Sequence, residues 1–187
     1  IEEYTKPRFR NTFMAFTTTE IQCLALNIYH EARNESLSGK VAVILVTMNR
    51  AADQRFPNSI CGVVRQGKHF LSKRDNKYYP KKDRCQFSWY CDGKSDKARN
   101  KEAFAWAYLI AELVTKANYP PITKGATHYH ADYIFPDWAE TKILTTVIGN
   151  QRLPMLIIDQ NPTIKNRSIF NARAAAIYGF SIFGKNH

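Results

Sequence analysis

Ala25-Leu26-Asn27-Ile28-Tyr29-His30-Glu31-Ala32-Arg33 is the stretch on which the reading of this chain turns. At about 100° per residue, Ile21, Leu24, Ala25, Ile28 and Ala32 fall on one helical face. Glu31 lies on the shoulder of that face, and His30 points the opposite way. Apolar surroundings disfavour a charged carboxylate, so Glu31 is expected to have a raised pKa. A glutamic acid that keeps its proton near neutrality can act as a general acid. The competing description is a solvated glutamate beside a core stripe.

Working outward, Thr17-Thr18-Thr19-Glu20 supplies a helix start. Thr17 can cap, Glu20 can close a capping box, and Phe16 with Ile21 can form a hydrophobic staple. The helix is expected to run to about Glu35. A break at Asn34, Ser36 and Ser38-Gly39 precedes a second helix from near Lys40 to Asn49-Arg50, with Val41, Ile44, Leu45 and Met48 at helical spacing. A Phe56-Pro57-Asn58 turn leads to a short helix carrying Ile60, Val63 and Val64. Residues 66–84 follow as a basic insert, read as a mobile loop or a binding patch. Cys85 to Gly93 is expected to end in an Asp92-Gly93 turn. A long helix spans about Asp96 to Asn118, burying Ala103, Phe104, Ala107, Tyr108, Ala111 and Val114, and Pro120-Pro121 stops it. Beyond it, Ala126 to Ala131 and Tyr133 to Trp138 read as extended segments. Lys142–Ile148 and Leu153–Ile158 are apolar runs able to pair as strands. A last helix is expected at Asn171–Tyr178.

The expected fold class is therefore mainly α, of α+β type, with a small β or extended region in the C-terminal half. Residues 1–16 form a basic arm, 17–150 the catalytic unit and 151–187 an extension of unassigned role. The 187 residues are 44% apolar and 13% aromatic, which favours a packed core over disorder. No run reaches the ~20 apolar residues of a membrane span. The chain opens on Ile1, so removal of an upstream segment is expected. A net charge of +11 points to a polyanionic partner. Nucleic acid, an anionic membrane surface and a bacterial cell wall all qualify. Of the four cysteines, Cys23 reads as a lone buried thiol within the first helix. Cys61, Cys85 and Cys91 allow one disulfide in an oxidising compartment, or three free thiols in a reducing one.

Three ordered blocks then resemble a known family. Leu26 to Glu35 with Gly39, Val41-Ala42-Val43 and Asn49-Arg50 is similar to the core motif of the SleB/CwlJ cell wall hydrolases. Cys85-Gln86-Phe87-Ser88-Trp89 resembles the second block. Ala126-Thr127-His128-Tyr129-His130 with Pro136-Asp137-Trp138-Ala139 resembles the third. The resemblance covers roughly residues 18–150 and departs at Ile148 to Leu153. It implies a lysozyme-like helical domain that cuts the glycan strand of peptidoglycan as a lytic transglycosylase, with Glu31 as catalytic acid and no cofactor or metal. Gln86, Ser88 and Tyr129 would then hydrogen-bond N-acetyl groups. Phe87, Trp89, Tyr90 and Trp138 would offer flat faces to sugars, and His128 belongs with these substrate-binding residues. The partner would be cell wall peptidoglycan, met in the periplasm or outside the cell by a monomer.

Chemistry supports one carboxyl in such a role. Most glycosidases need two, but a substrate's own C6 hydroxyl can replace the attacking water. Glu35 competes as the acid, and Asp92 or Asp132 would be the second carboxylate of a hydrolytic muramidase or glucosaminidase. Asn49-Arg50 reads as a structural cap or salt-bridge partner. His30-Glu31 is no zincin motif, because Asn34 stands where the second histidine would be. Two readings from other classes are a metal module using His128 and His130 with Cys85 or Cys91, and a basic nucleic-acid-binding module using the Lys/Arg run with Tyr78 and Tyr79.

Overall fold

Thr17 starts the first helix as the sequence requires. Its side chain accepts from the Glu20 amide at 3.2 Å, the Glu20 carboxylate accepts from the Thr17 amide at 3.2 Å, and both arms of the capping box are closed. The computed structural model describes residues 16–117, 119–131 and 136–148, together with the backbone of Met155–Gln160. The rest of the basic arm, Asp132, Tyr133 and the helix expected at Asn171–Tyr178 lie outside the described residues.

Helix α1 spans Thr18–Glu31 and α2 spans Leu37–Ala52. The helix expected to reach Glu35 instead stops at Glu31, where the Ala32 amide closes the last turn on the Ile28 carbonyl. Ser36 is the reason. Its hydroxyl accepts from the Gly39 amide at 3.2 Å and caps α2, so α2 begins three residues before the expected Lys40. Glu31 consequently sits at the mouth of a helix end rather than along a helix side.

Short α3, Ile60–Val64, and long α4, Lys101–Lys116, pack around α1. Leu24, Ile28, Ile44, Val41 and Ile60 are fully buried between them, and each contributes about 2 kcal/mol relative to exposure. Asn100 caps α4 through the Ala103 amide, five residues after the expected start. Ala107, Ala111 and Val114 are buried as the spacing predicts, while Ala103, Phe104 and Tyr108 are half-buried.

The basic insert is a β-hairpin, not a loop. Strand β1, Gly67–Leu71, pairs antiparallel with β2, Tyr78–Cys85, through Phe70↔Tyr79 and Leu71↔Tyr78. The second half holds β3, His128–Ala131, β4, Lys142–Ile148, and β5, Met155–Gln160, in the order β3-β5-β4 with both pairings antiparallel. The expected pairing of the last two apolar runs is present, and β5 is the middle strand. The sheet therefore continues past residue 150, where the sequence reading ended the catalytic unit.

Two disulfides revise the cysteine reading. Cys23 is bonded to Cys61, joining α1 to α3, and is not a lone thiol. Both partners lie on helices already pressed together by the core, which brings their Cα atoms to 5.4 Å. Cys85 is bonded to Cys91, one of the pairings the sequence left open.

Candidate active site

The last residue of α1, the last turn of α2 and the middle of β3 converge on one carboxyl. Glu31 is half-buried, and the Tyr129 hydroxyl donates to its Oε2 at 3.3 Å. Loss of solvent raises the Glu31 pKa above the usual carboxylate range. The Tyr129 hydrogen bond and the positive field of Arg50 pull the other way without cancelling that rise. Burial, reinforced by the Glu31 charge, keeps the Tyr129 phenol protonated far above its ordinary range, so it donates at every working pH.

Arg50, expected only as a structural cap or salt-bridge partner, is 4% exposed. Its guanidinium lies 5.5 Å from the centroids of both Phe56 and Phe87, and its Nε donates to the Thr127 carbonyl at 2.6 Å. The neighbouring Asn49 donates to the Ala126 carbonyl at 2.8 Å and to the Thr123 hydroxyl at 3.2 Å. Together they stitch the segment before β3 onto α2, which is what carries Tyr129 to Glu31. The structural reading of Asn49-Arg50 thus describes this clamp, but misses that Arg50 also acts electrostatically on the acid. A signal existed: Arg50 stands seven residues after Val43 and four after Val46, on the apolar side of its helix.

The other candidate residues take distinct positions. Gln86 and Ser88 are exposed at the end of the hairpin and the start of a 3-10 turn, Ser88–Cys91. Phe87, 3% exposed, is a floor under Arg50 and presents no open face to a sugar. Trp89 stacks on His30 with centroids 4.5 Å apart, and its Nε1 donates to Asn27 Oδ1 at 3.0 Å. Asn27, fully buried, donates in turn to the Thr47 hydroxyl at 3.3 Å. His30 is therefore half-buried under Trp89, with Nε2 3.1 Å from the Asp96 carbonyl, rather than facing solvent. Tyr90 makes an edge contact with Trp89. Trp138, 41% exposed, lies 5.5 Å from the His128 ring, with Lys142 Nζ 5.8 Å from its own centroid.

His128 is pushed down to about 4 by burial and by the cations Lys142, Arg50 and Arg55, so it is neutral near pH 7. The metal reading loses its sulfur ligands, because Cys85 and Cys91 are bonded to each other. Among the described residues no group of three His, Cys, Asp or Glu is placed to hold a metal ion. Asp92 accepts from the Lys94 amide at 2.8 Å, lies 3.9 Å from Lys94 Nζ and acts electrostatically on Asp96. Glu35 acts on Tyr129 electrostatically, so a second carboxylate borders the site.

Known proteins share the fold of this chain. Curated relatives include the spore cortex-lytic enzymes of Bacillus subtilis, 38% identical over 64 residues, and of Bacillus cereus, 34% identical over 64 residues. Each alignment covers 34% of this chain but only 21% and 25% of those enzymes, so the chain spans a small part of their length. Among solved structures, the catalytic domain of Bacillus cereus SleB matches with a TM-score of 0.50 at 26% identity, covering 77% of this chain and 93% of that one. The catalytic domain of the germination-specific lytic transglycosylase SleB of Bacillus anthracis matches with a TM-score of 0.51, also at 26% identity, covering 77% and 98%. The fold is thus the helix-rich, lysozyme-like α+β fold of those catalytic domains. The family model for cell wall hydrolases matches residues 34–152, more than half of the chain and beginning three residues after Glu31. The chain belongs to the cell wall hydrolase family.

Proposed function

We propose that this protein cleaves the glycan strand of peptidoglycan as a lytic transglycosylase, with Glu31 as its acid and then its base. The observation that carries the reading is a half-buried carboxyl whose pKa burial raises, with a phenol that keeps its own proton donating to it. Glu31 gives its proton to the glycosidic oxygen as the C1–O bond breaks, and an oxocarbenium-like centre forms at C1. The carboxylate left behind accepts the Tyr129 hydrogen bond and sits in the field of Arg50, so the groups that oppose its protonation at rest stabilise it at this stage. The C6 hydroxyl of the same sugar then attacks C1 and returns its proton to Glu31. The enzyme is restored, and the product ends in a 1,6-anhydro ring.

Family membership supports the wall as the place of action, and two disulfides suit an oxidising compartment such as the periplasm or exterior. Among the described residues no helix is long and apolar enough to cross a membrane. The +11 charge suits a wall rich in carboxylates. Mass spectrometry of fragments released from purified sacculi tests the chemistry: anhydro ends are expected. Reducing ends would overturn transglycosylation in favour of a hydrolase that activates water with a second carboxylate.

A further inference from the structure

The base of the hairpin holds an open recess of about 370 Å³, lined by Gln66, Gly67, Lys68, Arg84, Cys85 and Gln86. Its two charged side chains are both cations, and no carboxylate lines it. None of the described ion pairs uses Lys68 or Arg84. The Gln66 Oε1 is buried without a hydrogen-bond partner, a costly state unless something donates to it. The shape is held in place. A Cβ on Gly67 would stand 2.8 Å from Cys85 Sγ and 2.9 Å from the Arg84 carbonyl, so the strands close tightly at this point only with glycine. The Gln86 amide donates to the Gln66 carbonyl at 2.8 Å, and the Cys85–Cys91 disulfide ties the base of the hairpin to the 3-10 turn. That turn is docked through Trp89 onto Asn27, one helical turn before Glu31. The recess is thereby tied, through the 3-10 turn, to the helix that carries Glu31.

We propose that this recess is a subsite for the carboxylate-bearing peptide branches of the glycan strand, and that it makes the enzyme prefer peptide-substituted strands to bare ones. The inference rests on the peptidoglycan reading above and names the part of the polymer recognised. Without its peptides the strand carries only the short lactyl carboxyl held close against the sugar ring, whereas a peptide reaches out from the backbone. A peptide branch carries carboxylates for Lys68 and Arg84. Both cations are exposed, so the contact is salt-sensitive.

The test uses three substrates: peptide-bearing strands, the same strands stripped of peptide with the lactyl carboxyls so freed blocked as amides, and peptide-bearing strands whose carboxylates have been amidated. At low ionic strength the wild type is expected to show a kcat/KM roughly 3- to 10-fold higher on the first than on the other two. The double variant Lys68→Gln/Arg84→Gln is expected to act on all three alike, at the wild-type rate for stripped strands. Equal wild-type rates on carboxylated and amidated strands would overturn the subsite, as would a double variant that keeps the preference or slows equally on every substrate. Co-sedimentation of Glu31→Gln with the three insoluble polymers reads the same preference without turnover. Selective retention beside an inactive wild type would sink the catalytic reading and leave the subsite standing; indiscriminate retention beside an active wild type would do the reverse.

Discussion

The meeting point of α1, α2 and β3 and the β1–β2 hairpin both depend on charge, but they hold it under opposite conditions. At the first, Glu31 and Arg50 are taken out of water, and every nearby group alters their protonation. In the second, Lys68, Lys73, Arg74, Lys77, Lys81, Lys82 and Arg84 stand in solvent on a two-stranded ribbon, with Tyr78 72% exposed beside them. A desolvated charge has an adjustable pKa and a fixed position, which suits proton transfer. A solvated charge stays ionised and couples weakly to its neighbours, which suits capture of a polyanion. On the proposed function, the difference gives chemistry to the helical core and association to the hairpin arm.

Replacing the acid strikes that division hardest. Glu31→Gln is expected to cut turnover by about 10³-fold while leaving a cooperative melt and binding to cell walls. Its stability should depart from wild type with a definite sign. Burial raises the folded pKa of Glu31, so the protonated form's contribution is complete below the unfolded value of about 4.3 and is lost as pH rises through the folded value. Glutamine has no proton to lose. The variant should therefore gain in Tm relative to wild type as pH rises, and a gap that narrows instead would contradict a buried acid at this position.

Next in size is the core disulfide. Cys23 and Cys61 close a separation of 38 residues, and chain entropy makes that link worth about 4 kcal/mol. Cys23→Ser/Cys61→Ser should show this as a large drop in the urea midpoint, accompanied by a proportional loss of activity, since α1 carries Glu31.

What the sequence disclosed depended on how local each signal was. The Thr17–Glu20 capping box, the Ile21–Ile28 stripe and the pairing of the two C-terminal strands are short-range patterns, and all three are present. The hairpin was hidden because the residues between Gly67 and Cys85 lack apolar alternation; its cross-strand pairs, Phe70 with Tyr79 and Leu71 with Tyr78, bury little. Cys23–Cys61 was hidden because a buried helical cysteine looks the same bonded or free until the packing of α3 is known. The placement of Tyr129 on Glu31 spans 98 residues and depends on Asn49 and Arg50 gripping the Thr123–Thr127 segment, which no local pattern encodes.

The hairpin's own disulfide gives a smaller and more selective effect. Cys85 and Cys91 are six residues apart, so the chain-entropy contribution falls to about 2 kcal/mol. A two-stranded ribbon is marginal alone, and Cys85→Ser/Cys91→Ser should loosen the arm before the core. Hydrogen exchange is expected to speed up in β1 and β2 while α1 and α2 keep their protection. Equal acceleration in both would mean that arm and core unfold as one unit, and the contrast between them would fail.

The smallest effect is the most diagnostic of how the core sets its proton. Tyr129→Phe removes one hydroxyl, 3.3 Å from Glu31, and should slow turnover about tenfold, the low end for a hydrogen bond to a charged group. The phenol lowers the Glu31 pKa, so its loss lets burial raise that pKa further. Activity falls as Glu31 loses its proton, and the alkaline limb of the pH–rate profile should therefore move to higher pH. Lys77→Gln, a change of full charge on the exposed hairpin, should leave that limb where it is, because solvent and salt screen it. If the lysine moved the limb and the tyrosine did not, protonation of the acid would be governed from the surface, and the separation of chemistry from association would have to be abandoned.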